Sequence, residues 1–291
     1  MTNMTINTTA TTMSQTTQNA RTQNSGVNLM QASNQWANRP ADQRFWDLEE
    51  MDQATTKWAG ECREAMRQLS TMSVTAADGE VVLVGPQGNP ARFSNYAFGQ
   101  FSARMGAPAN FLRTLPAELA ARNLDHCLAA RTARGDEREQ ANILIHLNGG
   151  LSIQAFTSAK YERIWNASIV RWARSLPEGW RVAPARPSGQ QGERTRVATQ
   201  DDCLRNIHDG LGITPGMTIA PAGLYASDHD CFIFMVNEDL AVRTPDGRSL
   251  SRGFFLKNSE VGDSALVLTM FLYDAVCGNH IVWGAENVRE L

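Results

Sequence analysis

A glutamate and a histidine, each inside a small polar cluster that interrupts an apolar run, are the residues of this chain best equipped for chemistry. From Gly253 to Gly284 the sequence reads GFFLKNSEVGDSALVLTMFLYDAVCGNHIVWG, broken by Asn258-Ser259-Glu260 and by Cys277-Gly278-Asn279-His280. Polar side chains flanked by apolar segments on both sides are buried ones, and burial demands hydrogen-bond partners. A Glu beside a His is ordinary equipment for general acid and base work, so Glu260 and His280 form the candidate catalytic pair. The competing reading is a structural corner built from Asn258, Ser259, Glu260, Cys277, Asn279 and His280. In it Gly278 permits a tight bend, Asn279 accepts a left-handed conformation and Glu260 satisfies a buried amide.

Two further constellations carry weaker chemical signals. Asp228, His229, Asp230 and Cys231, with Cys203, His208 and the Cys277-x-x-His280 pair, offer the residue types that zinc prefers. Their spacings are irregular, and Ser227-Asp228-His229-Asp230 reads equally well as a hairpin turn, so no metal or other cofactor is expected. Arg163, Arg171, Arg174, Arg181, Arg186, Arg194 and Arg196 are interleaved with Tyr161, Trp165, Trp172 and Trp180. Cations with flanking rings suit a single-stranded nucleic acid, charge serving the backbone and rings the bases. Trp165 and Trp172 lie seven residues apart, on one helix face, and are expected in the core. The chain has no Gly-x-Ser-x-Gly elbow, Walker loop or Gly-x-Gly-x-x-Gly fingerprint, which disfavours Ser hydrolases, nucleotide hydrolysis and dinucleotide redox chemistry.

Composition sets the frame for these sites. With 291 residues, 42% of them apolar, the chain can bury a core without disulfides or metal. A formal charge of -3 argues against wholesale polyanion binding. The sign is uneven, however: residues 171–196 hold six Arg against two Glu, whereas 201–291 hold thirteen acids against six bases. Five scattered cysteines without a Cys-x-x-Cys pair suit free thiols in a reducing cytoplasm. No apolar run is long enough to span a membrane, so no membrane partner is expected.

The elements that must position these residues follow from pattern and caps. Residues 1–35 are polar and nearly uncharged, the signature of a disordered tail, and 36–291 read as a single α+β domain. Asp47 with Glu50 forms a capping signal for a helix of some 22 residues ending before Ser73. The Asp78-Gly79 turn joins two short strands. Ser94 caps a helix ending at Gly106, Pro108 opens a short one and Pro116 a third. The Gly106-Ala107-Pro108 turn resembles a helix-turn-helix with Asn110, Arg113 and Thr114 as base readers, although Pro116 cuts the recognition helix short; the alternative is a core-packing layer. A hairpin over 142–156 and a helix from Ala167 to Ser175 capped by Asn166 come next. Residues 184–200 read as a mobile cationic loop. From Met217 the pattern is strands, with 265–276 read as strand because Val267, Thr269, Phe271 and Tyr273 alternate. The expected fold is thus α+β: an N-terminal helical layer on a largely antiparallel sheet.

Several stretches carry a family resemblance. WANRPADQRF (36–45), AFGQFSARMGAPANFLRTLP (97–116), YERIWN (161–166), RGFFLKNSEVG (252–262) and CGNHIVWGA (277–285) resemble a large family of phage and plasmid proteins that carries a domain of unknown function. The resemblance covers roughly 36–285 and implies a setting, mobile elements in their hosts' cytoplasm, rather than an activity. Members often continue past the last motif into a segment rich in Arg and His. The expectation drawn from residues and resemblance together is an accessory protein that binds nucleic acid without catalysis. The alternatives are an acid/base or metal-assisted enzyme at Glu260 and His280, and a self-associating subunit.

Overall fold

Asp47 accepts a hydrogen bond from the Glu50 amide at 2.8 Å, and Glu50 reaches back to the Trp46 amide at 3.2 Å, which starts helix α1, Leu48–Glu61. The helix stops well short of the 22 residues that its periodicity suggests. Cys62–Gln68 is instead strand β1, paired in antiparallel register with 140–146. Glu, Ala, Met, Arg and Gln are good helix formers, and here sheet pairing outweighs that propensity. The computed structural model describes residues 39–134, 139–147, 149–182, 186–187, 194–206, 213–245, 247, 249–274, 282–283 and 288–290. The polar tail expected over 1–35 therefore lies outside the described residues.

A first sheet holds β1 with β2 (Ser73–Ala77), β3 (Glu80–Val84), β4 (Pro90–Phe93), β5 (Gln140–His146) and β6 (Ser152–Ser158), in the order β1-β5-β6-β4-β3-β2. Every pairing is antiparallel except β4 with β6. Asp78 (φ 53°) and Gly79 (φ 77°) both adopt left-handed backbone, which a two-residue hairpin turn requires. Between β4 and β5 come α2 (Asn95–Arg104), capped by Ser94, then α3 (Ala109–Leu112) and α4 (Ala117–Arg134). These three helices cover one face of the sheet around Phe101, Leu124, Ile153 and Phe156, all buried.

The second half begins with α5 (Asn166–Arg174) and β7 (Trp180–Val182). Next are β8 (Arg186–Pro187), β9 (Arg196–Val197), α6 (Gln200–Asn206) and β10 (Thr218–Ala220); β8 and β9 flank β10 in a small sheet. Of the segment expected as a mobile loop, 186–187 and 196–197 are thus strand, because their backbone finds partners on β10, while 184–185 and 188–193 lie outside the described residues. Then follow β11 (Leu224–Ala226), β12 (Asp230–Arg243), β13 (Ser249–Ser259), β14 (Val267–Asp274), β15 (Val282–Trp283) and β16 (Val288–Glu290). They form an antiparallel sheet in which β7 and β11 share one edge of β12, while β15 and β16 share one edge of β14. Helices α1 and α5 pack on one face through Met51, Val170, Ile233, Met235 and Leu256.

The fold is α+β with antiparallel-dominated sheets, as the sequence pattern indicates. It differs from the expected single helical layer in that α2–α4 serve the first sheet and α1 with α5 the second. Leu144, Ala155 and Val261 join the sheets, and Gln100 pins the junction by donating to the Val261 carbonyl and accepting from the Phe156 amide, both at 2.8 Å. Among the described residues no helix is long and apolar enough to cross a membrane.

Gly253 on β13 is paired with Phe271 on β14, whose ring lies over it so closely that a Cβ there would meet the ring at 2.1 Å. Phe271 is also stacked 4.8 Å from Phe234, so it has little room to retreat. Gly253→Ala is expected to destabilise the fold by about 1–3 kcal/mol through overpacking. Urea unfolding checks this; an unchanged midpoint would contradict the seating of Phe271.

Candidate functional site

The polar cluster at the end of β13 is drawn into the junction between the sheets by the connection from β6 to α5. Asn258 donates to the Ile164 carbonyl and to Asn166 Oδ1, both at 2.8 Å. Ser259 Oγ donates to the His229 carbonyl at 2.8 Å and accepts from the Asp263 amide at 3.1 Å, while Tyr161 donates to the Ser259 carbonyl at 3.0 Å. Glu260 Oε1 accepts from the Asn166 amide at 2.5 Å. The sequence suggests Asn166 as the cap of α5, yet the N-cap position is Trp165, which has no side-chain cap, and Asn166 is the first helical residue. Glu260 supplies the missing acceptor from 94 residues away, a carboxylate where the helix dipole favours one. Cys277, Asn279 and His280, the other half of the cluster and the histidine of the catalytic pair, lie outside the described residues.

Burial governs the electrostatics of this seam. Glu260 is 7% exposed, and burial pushes its carboxyl up to about 7, with Asp228 adding to the rise and the Asn166 amide and Arg163 opposing it. Cys62, at the start of β1, is pushed up to about 11 by burial and then by Glu260, which leaves a thiol rather than a nucleophilic thiolate at neutral pH. Arg163 has no exposed side-chain surface. Its Nε donates to Glu64 Oε1 at 2.8 Å, an oxygen that also accepts from Asn142 at 3.1 Å. Its guanidinium lies 5.4 Å from the Tyr161 ring and 6.0 Å from Trp165. Cys62, Glu64 and Asn142 are components that sequence reading missed; they come from strands whose pairing no local pattern announces.

Other candidates are dispersed. Asp230 is salt-bridged to Arg39 and accepts from Ser227 Oγ at 2.8 Å, whereas Asp228 is exposed and sits 3.5 Å from His229 Nε2. Among the described residues no group of three or more His, Cys, Asp or Glu could hold a metal ion. His208 and Cys277 are outside those residues. The helix-turn-helix candidates tie down their own turn: Arg113 donates to the Asn95 carbonyl and Asn110 Oδ1 and lies over the Phe98 ring, and Thr114 bonds the Phe111 carbonyl. Pockets of about 100 and 360 Å³ open on the first sheet, and neither is lined by Glu260 or Arg163.

Most of the arginine set is bound to carboxylates. Arg174 bridges Asp52 and Glu49, and Arg194 pairs with Glu50, so the acidic first turns of α1 are clamped from two sides. Arg196 grips both oxygens of Asp202 at 2.5 and 2.7 Å and lies over Trp46. That grip, with Thr199 donating too, holds the Asp202 carboxyl well below the usual carboxylate range. Arg163 is sealed in the seam, Arg181 is half-buried, and the Arg186 side chain is outside the described residues. Arg171 remains: it is 61% exposed and reaches Asp52 only at 4.0 Å.

Beside Arg171, Trp172 is 43% exposed rather than in the core, because the helix stripe that faces the sheet is Asn166, Ile169, Val170 and Ala173. Its ring contacts Phe254 at 5.7 Å, Phe254 contacts Trp180 at 5.1 Å, and Met270, paired across from Phe254, is 52% exposed. Arg252, two residues before Phe254 on the same strand face, is exposed. Comparison with protein-family models, curated proteins and solved structures gave no match.

For Glu260 the linkage has a definite sign. Its folded-state pKa lies above the unfolded value, so its contribution to stability is complete below the ordinary carboxyl range and is lost as pH rises through about 7. Glu260→Gln keeps the acceptor for Asn166 and removes the charge. Relative to the parent it is expected to gain up to about 3 kcal/mol between acidic and mildly alkaline solution. Thermal unfolding of both chains across that range reads the difference, and parallel curves would refute the assignment.

Proposed function

We propose that the chain binds single-stranded nucleic acid, without catalysing a reaction on it, through the surface of α5 and the adjoining strands. The observation that carries this reading is the exposed Trp172, which packs over the buried ring of Phe254 beside the half-buried Trp180 and the exposed Met270, with the exposed cations Arg171 and Arg252 on the same surface. Rings offer every base a stacking face, and neighbouring guanidiniums serve the phosphates. Arg174, Arg194 and Arg196 contribute little, since a phosphate would have to displace the carboxylates they already hold. Binding is therefore dominated by stacking. The motif resemblance to phage and plasmid proteins supplies the setting of such a role, a host cytoplasm. Acid–base catalysis at Glu260 is supported by its near-neutral carboxyl. It ranks second because Glu260 is only 7% exposed and the Arg163 side chain has no exposed surface.

Titration with a labelled homopolymeric oligonucleotide at two salt concentrations tests the reading. Two phosphate contacts on a single strand give a log–log salt slope of about -1.4. Trp172→Ala is expected to cost about 1–3 kcal/mol, Arg171→Ala with Arg252→Ala to flatten the salt dependence, and Arg174→Ala to leave affinity nearly unchanged. Absence of binding at low salt, or binding indifferent to Trp172→Ala, would sink the proposal. Sedimentation in the same samples reports self-association, the outcome expected if a second copy covers this surface instead.

A further inference from the structure

We infer that Glu260 and Arg163 form a proton-controlled contact: when the buried carboxyl ionises, its second oxygen takes up the unpartnered guanidinium nitrogens, and the 161–166 segment is drawn toward the end of β13. The geometry supplies both halves. The Arg163 side chain has no exposed surface, yet neither Nη1 nor Nη2 has a hydrogen-bond partner among the described residues. The Tyr161 and Trp165 rings lie within cation–π range of the cation and leave the N–H groups of Nη1 and Nη2 without acceptors. No external anion is placed to reach them, since the side chain has no exposed surface. Glu260 Oε1 accepts from the Asn166 amide, which anchors the carboxyl at the end of the segment that carries Arg163.

The energetic case is mutual. A buried carboxylate with one hydrogen bond and a buried guanidinium with two unused nitrogens are each costly, and each relieves the other when they meet. A neutral carboxyl gains far less from the cation, so the contact follows the proton. Several groups face Glu260: Arg163 and Tyr161 on the segment before α5, Asp228 on the turn before β12, Cys62 on β1 and Cys231 on β12. Cys62 is pushed up to about 11 and Cys231 well above the ordinary thiol value, so both stay neutral where Glu260 titrates. His229 Nε2 lies 3.5 Å from Asp228, so its imidazole is the control group for the variants below. Because α5 begins three residues after Arg163, the movement passes to the helix that bears Arg171 and Trp172.

The readout needs no ligand, so it stands whether or not the nucleic-acid reading does. In the full chain labelled with nitrogen-15, the Arg163 Nε and Asn166 amide resonances are followed by NMR across the neutral range. Both are expected to shift together as Glu260 ionises, with a midpoint below the value of about 7 that the carboxyl has without this contact, and to stay flat in Glu260→Gln. Flat resonances in the parent chain, or an unchanged titration in Glu260→Gln, would overturn the inference, the latter assigning the effect to His229. Should Glu260→Gln not fold, His229→Gln decides: a persisting titration supports the contact with Glu260, and its loss overturns it.

Discussion

The start of α5 rests on a hydrogen bond from its first amide to the carboxyl of Glu260. A helix of nine residues has too few internal hydrogen bonds to stand alone, and this one begins without a side-chain cap of its own. Glu260 caps it from the end of β13, and Asn258, two residues earlier, holds the same segment through Ile164 and Asn166. With its start fixed, the apolar stripe of α5 can settle on β12 and β13, and its opposite face carries Arg171 and Trp172 to the surface. The cost of this arrangement is a carboxyl out of water, which the amide and Arg163 offset only in part, so its proton affinity rises.

A second constraint runs through charge. The acids that favour the N-terminus of α1 are the same ones that bind Arg174 and Arg194, so one set of carboxylates complements a helix dipole and clamps two distant segments. What looks in the sequence like a basic stripe is therefore a neutralised frame. Only cations outside that frame can act on a polyanion at little cost, and two of them, Arg171 and Arg252, lie near the exposed Trp172. Arg163 is the extreme case, a cation whose side chain has no exposed surface.

Much of this was legible in advance. Caps at Asp47 and Ser94, the Asp78-Gly79 turn, the prolines before α3 and α4 and the alternation in β14 are local signals, and local chemistry sets them. The α+β class and the antiparallel bias follow from them. Reading failed where pairing partners lie far apart: β1 looks helical until β5 is beside it, residues 186–187 and 196–197 look like loop until β10 offers hydrogen bonds, and Trp172 looks like core until the sheet selects which face of α5 it covers.

By itself, then, the sequence determined the element types wherever a cap, turn residue or period-two run speaks for itself, and it marked Asn258, Ser259 and Glu260 as polar groups bound for the interior. Tertiary structure alone decided what those groups meet. Glu260 is a helix cap only because the turn after β13 arrives at Asn166, and Arg163 is a buried cation only because Glu64 and two rings enclose it. The reason is physical: hydrogen-bond geometry and desolvation depend on neighbours in space, and a residue's neighbours along the chain do not reveal them.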